Sequence, residues 1–76
     1  MTLNPIRANM TELRIDCMVI LFSYKTPVAA QTPEGLFRTA RRWSNTTTRH
    51  INQWLDDGYA QEKPQEFFDS LIAKVK

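Results

Sequence analysis

The stretch MVILFSY, residues 18 to 24, constrains this chain more than any other part of it. Rich in β-branched and aromatic residues and closed by the turn signal Lys25-Thr26-Pro27, it reads as a central strand covered on both faces. Just before it, Leu13 and Ile15 alternate with Glu12, Arg14 and Asp16, the period of a half-buried strand beginning at Thr11. Asp16-Cys17 is then the tight link between the two. After Pro27, VAAQ and LFRT predict two more short strands joined by TPEG, where Pro33 presets φ and Gly35 tolerates positive φ. Ala29 and Ala30 form strands poorly and mark a place where another element packs closely.

Two helices follow. Ser44 or Asn45 is the natural N-cap of the first. Thr47, Ile51, Trp54 and Leu55 then share one side, with Arg49, Asn52, Gln53 and Asp56 on the other and Gly58 at the C′ position. Three consecutive threonines propagate a helix poorly, so packing of Ile51, Trp54 and Leu55 must hold it. The second helix begins at Pro64, with Glu66 and Asp69 near its positive end and Phe67, Phe68, Leu71, Ile72 and Val75 as its apolar face. Strands first and helices last predict an α+β domain: a three- to four-stranded antiparallel meander packed against two C-terminal helices, both on one face of the sheet. Residues 1 to 10, with Pro5 and no periodicity, read as an arm ordered only by docking, and residues 11 to 76 as a single domain.

A domain of 76 residues buries only about 60% of its unfolded surface, so stability is marginal and a homodimer would add to it. At 42% hydrophobic and 24% charged residues the composition is that of a folded soluble chain. The lone Cys17 excludes an intramolecular disulfide and reads as a small buried hydrophobe, and with one histidine no Cys/His zinc site can form within one copy. CMVILF is too short to span a bilayer, and MTLNPIRANM lacks the pattern of a signal peptide. A cytoplasmic setting without membrane contact is therefore expected, in which the sequons at Asn9 and Asn45 have no meaning. Asp56, Asp57, Glu62, Glu66 and Asp69 match no calcium loop, so no metal and no cofactor is expected. A helix-turn-helix is disfavoured by the acidic second helix and the long Gly58–Pro64 connection.

Most of the positive charge precedes Ile51: Arg7, Arg14, Lys25, Arg38, Arg41, Arg42 and Arg49. Four of these, Arg38, Arg41, Arg42 and Arg49, surround a helix start that offers Ser44, Thr46 and Thr47. Guanidinium forks and hydroxyls beside unpaired helix N–H groups make a phosphate seat. Lys25 adds charge, and Tyr24 and Trp43 add stacking faces, the combination that tracks single-stranded nucleic acid. The competing reading is that the arginines solvate a strand edge and keep it from aggregating. A different class of function, a module engaging a host or virion protein, would use Tyr24, Trp43 and Tyr59, since aromatic residues are favoured at interface cores. His50 has no second histidine, activated nucleophile or Gly-rich loop beside it, so it reads as hydrogen-bonded at the helix–sheet seam and no catalytic residue is assigned. Trp54 belongs to the core; Trp43 either staples the helix start or faces a partner.

The pattern Ser23-Tyr24-Lys25-Thr26-Pro27-Val28-Ala29, then Arg38-Thr39, then Trp43-Ser44 with Thr46, Thr47, Arg49, His50 and Ile51, resembles a family of small uncharacterised proteins encoded by tailed bacteriophages, including those of marine cyanobacteria. The likeness covers roughly residues 20 to 72. It implies a phage origin and a host-cytoplasm setting, and it brings no activity with it.

Overall fold

The computed structural model describes residues 2–7, 9–56 and 58–73, with the backbone alone for Thr2 and Arg7. Its elements are β1 (Thr2–Arg7), β2 (Met10–Ile15), β3 (Met18–Ser23), β4 (Thr26–Thr32), β5 (Gly35–Thr39), α1 (Asn45–Leu55), β6 (Gln61–Lys63) and α2 (Gln65–Ala73). The six strands lie in one sheet in chain order. Neighbours are antiparallel from β1 to β5, and β6 is parallel to β5. The architecture is α+β with C-terminal helices, but the sheet has six strands rather than three or four.

Both extra strands escape a pattern search for physical reasons. β1 is TLNPIR, in which Pro5 cannot donate to a ladder and no apolar alternation runs; it forms by pairing Leu3 with Leu13 and Asn4 with Glu12 at the sheet edge. Most of the expected arm is thus an edge strand. β6 is Gln61-Glu62-Lys63, polar throughout, and acquires its conformation from the Phe37–Gln61, Arg38–Glu62 and Thr39–Lys63 register.

Two-residue loops set the meander. Asp16 (φ 50°) and Tyr24 (φ 60°) take left-handed conformations at the β2–β3 and β3–β4 hairpins, as tight hairpin turns demand. The second turn is therefore Tyr24-Lys25, and Pro27 lies within β4, beside a bulge where the pairing steps from Leu21–Ala29 to Phe22–Pro27. Gly35 has φ 133°, as its turn position requires. Cys17 is exposed, contrary to expectation, because the second residue of a two-residue loop projects beyond the sheet.

The helices lie on opposite faces, not on one. Adjacent strand residues point opposite ways, and Leu21, Ala29 and Leu36 join Met10, Val28, Ile51, Leu55, Ala60 and Trp54 in one cluster. Their neighbours Ile20, Ala30 and Phe37 join Leu13, Phe68, Leu71 and Phe67 in another. So α1 covers one face and α2 the other, and β3 is buried from both sides, with Ile20 and Leu21 inaccessible to solvent. Ala29 and Ala30 are equally inaccessible, each in its own cluster, and their small side chains let both layers approach β4. Of the expected α2 face, Val75 lies outside the described residues.

Candidate functional site

The connection from β5 to β6 runs through α1, so residues 40 to 44 form the loop at the carboxyl end of β5 and lead into the start of α1. In α/β units this is where ligands gather, since the strand end opens a crevice and the helix start offers free N–H groups. Ser44 is the N-cap: its Oγ accepts from Thr47 N–H at 3.1 Å and its carbonyl from Thr48 N–H at 3.0 Å. No acidic residue occupies the first turn, so the positive end of α1 is not neutralised by its own side chains.

A concavity of about 230 Å³ opens beside this loop, lined by Arg38, Arg41, Arg42, Trp43, Thr47, Thr48 and Glu62 among others. Three of the four expected arginines meet there. Arg38 is partly buried, and its Nη1 donates to Asn52 Oδ1 at 3.2 Å, which turns Asn52 inward from the solvent side where helical periodicity put it. Its Nε is buried without an acceptor among the described residues, a cost of about 1–3 kcal/mol. Arg41 stacks on Trp43, its guanidinium carbon 4.3 Å from the ring centroid. Among the described residues the one ion pair, Arg14–Glu12 at 3.7 Å, lies elsewhere, so these arginines are not paired off, although Glu62 faces the same space. Arg49 and Thr46 are exposed on α1 and do not line the concavity.

Trp43 is 39% exposed and belongs to both this concavity and a second one of about 340 Å³, which Ser23, Tyr24, Thr26, Val28, Ser44 and Thr47 complete. The indole is fixed by its Nε1, which donates to Gln65 Oε1 at 3.2 Å. Tyr24, 52% exposed, walls the second cavity and borders a third surface hollow that includes Lys25. Tyr59 is 86% exposed but borders a separate hollow with Gly58 and Ala60, so it does not join the other two aromatics.

Below the second cavity runs a chain of hydroxyls. Ser23 Oγ lies 3.1 Å from Thr47 Oγ1 and 2.8 Å from His50 Nδ1, and Ser44 Oγ donates to Thr47 Oγ1 at 3.3 Å. His50 therefore sits at the helix–sheet seam, with Tyr24 6.1 Å away ring to ring. Trp54 packs half-buried against the α1-side core while its Nε1 donates to Glu12 Oε2 at 2.7 Å. Gln65, Asn52 and Thr48 carried no local signal of a site role, because the residues they meet or the loop they flank come from other elements. Among the described residues no three His, Cys, Asp or Glu side chains gather as metal ligands would, and no helix is long and apolar enough to cross a membrane.

A protein-family model matches residues 1–70 of this chain, and it describes a family of unknown function (DUF8033). Neither the curated proteins nor the solved structures compared with the chain gave a match.

Proposed function

The chain belongs to that family of unknown function, which has no activity to lend, and we propose from its own geometry that it is a non-enzymatic module holding nucleic acid by its phosphates. The observation that carries this reading is the convergence of Arg38, Arg41 and Arg42, none of them ion-paired among the described residues, on one concavity at the carboxyl end of β5. Thr47 and Thr48 line the same concavity at the start of a helix without acidic residues in its first turn. Guanidinium forks suit phosphate oxygens, and contacts of this kind carry affinity without reading sequence. A phage accessory role in the host cytoplasm, the setting that the resemblance of residues 20 to 72 implies, belongs to the same proposal.

A salt titration of oligonucleotide binding tests the reading. Three phosphate contacts give a log–log slope of roughly −2 to −3, and Arg42→Ala reduces it by about one. Absence of binding at low ionic strength, or binding indifferent to salt, rejects it.

A second reading, a module engaging a host or virion protein, is favoured by the exposure of Tyr59, Tyr24 and Trp43. A partner captured from host lysate that survives nuclease treatment and is lost in Tyr59→Ala supports it; a partner that disappears with nuclease supports the phosphate reading.

A further inference from the structure

Two concavities share the Trp43 wall, and their chemistry differs. The one holding the arginines is cationic; the other, lined by Trp43 and Tyr24 with Ser23, Thr26, Val28, Ser44 and Thr47, contains no charged side chain among the described residues. Beyond Tyr24 the next hollow brings in Lys25. On the α1 face the order is therefore cations, Trp43, a neutral hollow and Tyr24, while the Lys25 hollow opens on the opposite face, beside Phe22 and Thr11. A single nucleic-acid strand presents the same adjacency of phosphate and exposed base. A duplex keeps its bases inside and cannot.

We propose that the hollow lined by Trp43 and Tyr24 receives an unpaired nucleobase whose adjoining phosphate lies in the arginine concavity on the other side of Trp43. This deepens the phosphate-binding reading and rests on it: it names single-stranded nucleic acid as the ligand class. Three observations support it besides the lining. The hollow, at about 340 Å³, is large enough for a base, as are the hollows of about 310 and 380 Å³ elsewhere, but of these three it alone is lined by two aromatic side chains among the described residues. The Trp43 ring is held in place by Gln65 and the Arg41 guanidinium, and the Tyr24 backbone by its hairpin and the hydrogen bond from its N–H to the Asn9 carbonyl. Tyr24 also occupies a left-handed position, φ 60°, where Asn or Gly would fit with less strain. Backbone strain of this kind is concentrated at ligand sites.

The cleft also has edge-reading groups. The Ser23, Thr26, Ser44 and Thr47 hydroxyls are all among its lining residues. Ser23, Ser44 and Thr47 are committed to one another and to their neighbours, which leaves the Thr26 hydroxyl as the adaptable partner. Hydroxyls that both donate and accept tolerate any base, so stacking rather than sequence sets the affinity.

The test measures binding of the intact chain, by fluorescence anisotropy at low salt, to an oligothymidine, an abasic strand of the same length and a duplex of the same length. The oligothymidine is expected to bind tighter than the abasic strand by roughly five- to 150-fold, the range that stacking one base gives. Tyr24→Asn is expected to keep the melting temperature or raise it while removing most of that preference; Arg42→Ala weakens both single strands alike. Equal binding of oligothymidine and abasic strand, duplex binding as tight as the oligothymidine, or a preference untouched by Tyr24→Asn overturns the base cleft while leaving the phosphate reading in place. Failure of all three ligands to bind overturns both.

Discussion

Gln65, the first residue of α2, holds Trp43 by the indole: its Oε1 accepts from Trp43 Nε1 at 3.2 Å and from Thr39 Oγ1 at 2.9 Å. Its Nε2 donates to the Pro27 carbonyl at 2.8 Å and to Asp69 Oδ1 at 3.3 Å. One amide thus ties α2 to β4, to the end of β5 and to the loop that carries the arginines. Gln65→Ala is expected to cost about 1–3 kcal/mol in urea unfolding, with Trp43 emission moving to the red as the ring loosens. An unchanged emission spectrum would mean that Arg41 alone positions the indole.

Ser23 is buried, 2% exposed, with Thr47 and His50 on its hydroxyl. Ser23→Ala strips His50 Nδ1 of that contact and is expected to destabilise by about 1–3 kcal/mol. His50→Asn is expected to lower stability by about as much and to leave oligonucleotide binding standing. Lost binding in a folded His50→Asn protein, checked by circular dichroism and anisotropy together, would return the histidine to the site.

Glu62 pairs in register with Arg38 and faces the same concavity as the arginines, where it repels a phosphate. Glu62→Gln is expected to tighten oligonucleotide binding by roughly 1.5- to fivefold, the scale of one partly screened charge interaction. Glu34, exposed in the β4–β5 turn and absent from the concavity, serves as the control. Equal gains from Glu34→Gln would trace the effect to net charge alone.

The end of α1 offers a test of backbone chemistry free of the site. Asp56, not Gly58, takes the left-handed position at the helix end, with φ 54°, and its N–H meets the carbonyls of Asn52 and Gln53. Asp56→Gly removes the Cβ penalty and is expected to stabilise by about 0.5–1 kcal/mol. Gly58 is needed for a different reason: a Cβ there would lie 2.9 Å from the Leu55 carbonyl oxygen. Gly58→Ala should therefore destabilise, read by thermal melting alongside Asp56→Gly.

The elements legible in the chain were those whose residues act on near neighbours. The β3 run, the Asp16-Cys17 link, the Ser44 cap and the buried Thr47, Ile51 and Leu55 follow from alternation, turn sterics and helical spacing, all of which operate within a few residues. The basic character of the loop before α1 was legible in the same way. Within the candidate site, however, Arg49 has the same composition signal as Arg42 and a different place, because residue type does not say which side of a helix faces a cavity formed partly by another strand.

Local pattern alone thus settled one doubly buried strand, a capped helix behind it and a concentration of positive charge between them. Tertiary pairing decided the rest. Pro5 and the polar triplet 61 to 63 became strands because unsatisfied edges beside them supplied partners. The helices parted to opposite faces because β3 and β4 carry apolar side chains on both, and one layer could cover only half of them. Trp43 became one wall shared by two cavities because an amide 22 positions further along the chain reached its indole, a meeting fixed by the packed fold and invisible to any reading of neighbours in sequence.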